Sequence, residues 1–189
     1  MPIDTASRAP SVLLIAGAYH PEISASGLQC QAVAAALRGR ARFSVLVTAV
    51  NSTLAPDEVI DDVPVSRVMV DVRSRFSKAA ASVQLVSRLA QMRSTLDLIH
   101  VHGLSQKNVP VALMARAIGK PIVLTLHTSG QDEPQVAAAQ GSLARWAFDS
   151  ARLVLPVSPN LVRRCEEGGV DASAVRLTPN GIDTNRFRP

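Results

Sequence analysis

Four histidines carry most of the chemistry this chain could do. His20, His100, His102 and His127 each fall at or just past the end of a short apolar run, and histidine is the side chain whose ordinary pKa lies between pH 5 and 8. His100 and His102 stand two residues apart, so a strand would put both on one face, a spacing that could suggest a metal. A third ligand is not nearby in sequence, and catalytic zinc takes three protein ligands, so no metal is expected. Each histidine also has a plain structural reading, as a group hydrogen-bonded at the top of a packed strand. The segment AYHPEISASGLQC carries Ser24, Ser26 and Gly27 straight into a helical stretch. A helix start offers free N–H groups to a phosphate, and glycine lets the ligand come close. The same residues equally describe a helix capped by Ser26, with Gly27 relieving a turn. Asp132 and Glu133, in the loop TSGQDEPQ after His127, are either solvated loop carboxylates or acid, base or hydroxyl-accepting groups for a polyol. GxGxxG, Walker and GxSxG motifs are missing, and Ser158 before Pro159 reads as an N-cap with proline at the first helical position.

These residues need a frame. Apolar, β-rich runs occur at Val12 to Gly17, Phe43 to Val50, Val63 to Val70, DLIHVH, PIVLTLH, RLVLPVS and AVRLTP. Helical spacing marks Leu28 to Arg38, Phe76 to Ser94, Val109 to Ile118, Ser142 to Ser150 and Pro159 to Glu167. Near-continuous apolar strands alternating with helices predict a doubly wound α/β domain with a mostly parallel sheet, Rossmann-like in layout. The segment Asn51 to Asp62 shows no helical pattern and is expected to be a surface loop. In such sheets ligands bind beyond the strand carboxyl ends where strand order reverses, which is where the histidines fall.

Composition excludes several classes. At 189 residues, 47% hydrophobic and 19% charged, the chain is expected to form one domain with a real core, not a disordered segment. Its net charge of +5 invites an anionic partner, but with 3% aromatics and no basic recognition helix, nucleic acid is not expected. Cys30 and Cys165 fit no zinc spacing and read as free thiols of a reducing compartment. No apolar run approaches the roughly 18 residues of a membrane span, and the opening MPIDTASRAPS lacks a signal-peptide stretch, so a cytoplasmic location is expected. Arg73, Arg75, Lys78, Arg88 and Arg93 on and before the Phe76 to Ser94 helix read as a solvated face, or as a peripheral contact with the inner, anionic face of a membrane.

Four segments together resemble family 4 glycosyltransferases of the GT-B fold: YHPEISASG, DLIHVHG, PIVLTLHTSG, and LVLPVSPNLVRR with LTPNGIDTNRFRP. In the last, Pro179, Asn180, Gly181, Ile182, Asp183, Phe187 and Pro189 match the turn that ends the family's N-terminal domain. The resemblance implies that residues 1–10 are a flexible N-terminus, 11–179 the Rossmann-like N-terminal domain, and 180–189 the start of a linker, with the C-terminal donor-binding domain absent from these residues. It implies a retaining transfer from a nucleotide-sugar donor to an acceptor hydroxyl, without a metal or other cofactor, and no turnover by this half alone. By the same resemblance His127 is the active-site histidine beside the transferred sugar, and Ser26 and Gly27 approach the donor diphosphate, where many members have two adjacent glycines. His102, Gly103 and the loop to Asn108 would wall the acceptor cleft together with Asp132 and Glu133, with His20 and Glu22 on its other side. The alternatives are a non-catalytic sugar- or nucleotide-binding module, or an unrelated Rossmann-like domain of another sugar-nucleotide enzyme, against which the PNGID ending argues.

Overall fold

The computed structural model describes residues 8–181. Ile182, Asp183, Phe187 and Pro189 of the closing motif lie outside them. Seven strands form one sheet: β1 (Ser11–Ala16), β2 (Arg42–Ala49), β3 (Asp57–Ile60), β4 (Val63–Met69), β5 (Leu98–His102), β6 (Ile122–Leu126) and β7 (Leu153–Pro156). Their order is β3-β4-β2-β1-β5-β6-β7, and every neighbouring pair is parallel except β3 with β4. The chain winds outward from β1 in one direction to β2 and β4, then restarts beside β1 with β5. The switch point therefore lies between β1 and β5.

Period-two alternation decides which helices cover which face. Leu13, Ile15, Leu46, Val68, Ile99, Val101, Leu124 and Leu126 point to one side. There they meet Ala81, Leu85 and Leu89 of α2 (Arg75–Met92), Val111 and Ala115 of α3 (Asn108–Ala117), Phe148 of α5 (Ser142–Asp149) and Leu161 of α6 (Pro159–Glu167). Val12, Leu14, Ala16, Val45, Val47 and Val65 point to the other, against Tyr19 of the loop after β1 and Cys30 of α1 (Ala25–Ala36). His100 pairs with Leu14 across the β1–β5 ladder and so belongs to the α1 face.

Three elements differ from the sequence reading. The Asn51 to Asp62 segment holds the edge strand β3, joined to β4 by a two-residue turn in which Asp61 and Asp62 have φ of 49° and 66°. Both positive values match the tight hairpin turn that usually takes Asn-Gly, which is why an Asp-Asp pair gave no signal. Arg38 steadies the turn through Asp61 O at 3.1 Å and the Asp62 carboxylate at 3.2 Å. The second difference is a six-residue helix, α4 (Pro134–Ala139), which begins at the end of the TSGQDEPQ loop where no helical spacing is read. The third is AVRLTP, which is not a strand: Arg176 and Thr178 donate to Val154 O and Pro156 O, but Pro156 has no N–H to return a bond. At the start of the described residues Arg8 pairs with Asp97 at 3.1 Å and Arg42 N–H donates to Pro10 O at 2.8 Å.

Candidate functional site

A cleft of about 260 Å³ opens at the switch point. Its walls come from Gly17 at the end of β1, Ala25 and Ser26 in the first turn of α1, His102 to Ser105 after β5, Lys107 before α3, and His127, Thr128 and Asp132 after β6. Parallel strands deliver these residues to one edge because all their carboxyl ends lie there.

Three of the four histidines converge. The His100 and His102 rings stand 4.2 Å apart, and His102 and His127 stack at 5.4 Å. His100 Nε2 meets Thr125 Oγ1 at 2.8 Å. His102 Nδ1 lies 3.1 Å from Gln29 Oε1 and 3.2 Å from His127 Nε2. Gln29 is an acceptor here, which assigns the proton to His102 Nδ1 and makes His127 Nε2 the second acceptor. His127 then carries its own proton on Nδ1. His102 Nε2 and His127 Nδ1 are buried without a hydrogen-bond partner among the described residues. Burial holds all three imidazoles below their ordinary pKa, His100 down to about 4, and neighbouring histidines add to the effect at His100 and His102. At His127 the Asp132 charge opposes the shift. At neutral pH the trio is uncharged.

Asp132 organises the cleft. Its carboxylate accepts from the N–H groups of Leu104 at 2.7 Å, His127 at 2.9 Å and Thr128 at 3.0 Å, clamping the β5 and β6 exits together. Gly103 has φ of 79°, and a Cβ there would lie 3.4 Å from Asp132 Oδ1, so this turn favours glycine twice over. Glu133 does not line the cleft. Its buried carboxylate accepts from Gly130 N–H at 2.7 Å and pairs with Arg164 at 2.9 Å, contacts that hold it below the usual carboxylate range. Neither acid is the solvated loop carboxylate that its sequence context permits.

At α1 the cap is Ser24, not Ser26: Ser24 Oγ accepts from Gly27 N–H at 2.9 Å and donates to Ala18 O at 3.1 Å. Ser26 lines the cleft, whereas Gly27 does not. A Cβ on Gly27 would fall 2.5 Å from Ala18 O, so its glycine is needed to seat α1 on the β1 exit. His20 and Glu22 do not line the cleft either; His20 is exposed and its carbonyl accepts from Arg67 at 2.6 Å.

Sequence reasoning missed Gln29 and covered Lys107 only as part of the Gly103 to Asn108 loop. Gln29 holds His102 and also donates to Asn180 Oδ1 at 2.7 Å, bringing the closing turn back to α1. Lys107 donates to Ala16 O across the switch point, and burial pushes its ammonium down to about 8. Its place in that loop was the sequence's only sign of Lys107; nothing in the sequence marked Gln29. Among the described residues no group of three His, Cys, Asp or Glu could hold a metal ion, and no helix is long and apolar enough to cross a membrane.

The family model described as Glycosyltransferase Family 4 matches residues 27–186. No curated protein matches. Among solved structures, Anabaena HepE in complex with UDP-glucose is similar over 93% of this chain and 45% of its own, at TM-score 0.65 and 17% identity. Sucrose-phosphate synthase from Thermosynechococcus elongatus is similar over 95% and 50% respectively, at 0.63 and 14%. A UDP-N-acetylglucosamine 2-epimerase is similar over 92% and 49%, at 0.61 and 15%. At such identities the likeness shows the fold, and the chain spans about half the length of these structures.

Proposed function

From a chain that belongs to glycosyltransferase family 4 and has the Rossmann-like architecture of one GT-B half, we propose the acceptor-side half of a retaining enzyme that moves a sugar from a nucleotide-sugar donor to an acceptor hydroxyl. The observation that carries this reading is the neutral His102 and His127 pair on the wall of the switch-point cleft, opposite the first turn of α1. A neutral imidazole can donate to or accept from a sugar hydroxyl without placing a fixed cation beside a carbon that becomes positive in the transition state. His127 is half-buried with Nδ1 turned inward. Turning the ring over would offer that N–H to the ligand, while Asp132 keeps the backbone in place.

Ala25 and Ser26 bring the positive end of α1 to the cleft, which suits a donor diphosphate. Lys107 is the cation of the cleft wall. One wall is not enough for turnover. Positioning both substrates and excluding water need a facing domain, and in this reading residues 1–189 alone transfer no sugar.

The test uses the protein expressed from its whole reading frame, incubated with a panel of nucleotide sugars and hydroxyl acceptors. The anomeric configuration of the product is read by NMR. Transfer with retention is expected from that protein and none from residues 1–189. Robust transfer by residues 1–189 alone overturns the half-enzyme reading. Binding without turnover by the whole protein places it with non-catalytic modules, and sugar epimerisation without an acceptor places it with the epimerases that share the fold.

A further inference from the structure

Helix α2 buries one stripe, Ala81, Leu85 and Leu89, against the sheet. A surface helix ordinarily turns a polar face the other way. Here Phe76 is 90% exposed and Val83 69% exposed, and Ala79 and Ala80 between them are exposed too. Positions 76, 80 and 83 are spaced by four and three residues, so they line a second, outward stripe about 10 Å long. Val72, 56% exposed, leads into it from the end of β4, and exposed Val50 leaves the paired strand β2 at the same edge. Scattered apolar side chains on a surface mean little, but a row of them on one helix face marks a contact surface.

The charges around the stripe name the partner. From Val70 to Met92 the one acidic residue is Asp71, and α2 itself has none. Arg73, Arg75 and Lys78 are exposed beside Phe76, and among the described residues none of the three makes an ion pair. Arg88, further along, is already held by Asp57 at 2.9 Å. A facing domain would cover the strand ends, yet the stripe runs down the helix away from them to Val83.

We propose that the outward face of the first turns of α2, with Val72, docks on an anionic bilayer surface. Phe76 and the valines enter the boundary between headgroups and acyl chains while Arg73, Arg75 and Lys78 meet the lipid phosphates. A few apolar side chains or a few charges alone bind a bilayer weakly, and the two together give reversible attachment.

The test is co-sedimentation of the protein with phosphatidylcholine vesicles, with and without phosphatidylglycerol, at low and physiological salt. Binding to the anionic vesicles is expected, weakening with salt, with little on phosphatidylcholine alone. Phe76→Ser should lower partitioning roughly tenfold. Replacing Arg73, Arg75 and Lys78 with Gln should remove the preference for anionic lipid, at about fivefold per charge. Because these side chains are exposed, both variants should keep the natural urea midpoint. No binding to anionic vesicles, or binding that survives both variants, overturns the proposal. So does a dimer in analytical ultracentrifugation that Phe76→Ser dissolves, since the stripe would then be an interface between copies.

Discussion

Two buried polar clusters sit near the carboxyl edge of the same sheet and use their hydrogen bonds differently. On the β4 side the Arg67 side chain is fully buried, yet its guanidinium donates to Ala55 O at 3.0 Å and His20 O at 2.6 Å and pairs with Glu58. Its Nε alone lacks a partner. On the β5 and β6 side three histidines crowd together, and two of their ring nitrogens have no partner among the described residues. The first cluster spends its polar capacity on joining the exits of β1 and β2 to β3. The second keeps capacity unspent beside a cleft. Burial of a polar group therefore does not by itself distinguish a fastening from a site; what separates them is whether its hydrogen bonds are already made.

The sharpest test of that contrast removes the fastening. Arg67→Ala leaves Glu58 and two carbonyls without their partner, and breaking a buried pair costs about 3–5 kcal/mol. With Glu58 partly exposed, the lower end is expected, as a drop in the urea midpoint, with ligand affinity of the surviving folded fraction unchanged. A smaller loss than about 1 kcal/mol would show the arginine to be dispensable and dissolve the comparison.

His127→Ala should behave in the opposite way. In the protein expressed from its whole reading frame, removing one transition-state donor lowers turnover about a hundred- to a thousandfold, or ~2.7–4 kcal/mol. Stability should hardly move, because no buried donor or acceptor depends on this ring except His102. Natural turnover in a stable variant would retire His127.

Acid sharpens the same line. Unfolded histidine protonates near pH 6.5, whereas burial keeps His100 neutral down to about 4 and holds His102 and His127 low as well. Between those values the unfolded state binds more protons, so stability falls as pH drops below about 6.5. Each fully buried histidine contributes at most ~1.4 kcal/mol per pH unit. Chemical denaturation at pH 7, 6 and 5 should show that slope, and His100→Leu should flatten it by up to one proton. An identical slope in the variant would mean that His100 already titrates normally.

Gly27→Val is the least selective perturbation. A Cβ 2.5 Å from Ala18 O must move α1 or the β1 exit, and such overpacking costs ~1–3 kcal/mol. Weaker donor binding is expected together with a lower melting temperature. Lost binding at natural stability would instead assign Gly27 to the ligand directly.

Much of the architecture was legible in the sequence because it is written locally. Apolar runs and helical spacing placed six of the seven strands and five helices, and the same reading put His100, His102 and His127 at strand carboxyl ends before any contact was known. The closing PNGID motif likewise pointed to the family on neighbouring residues alone. What the sequence could not determine depends on residues far apart in the chain. Gln29 reaches His102 across 73 positions, and Arg67 reaches His20 across 47. Asp132 and Glu133 are adjacent, yet one clamps the cleft and the other pairs with Arg164 outside it. Neither periodicity nor residue type encodes which of two neighbouring carboxylates points inward. That choice is made by packing, when α4 settles against α6 and each buried charge must find the donors within its reach.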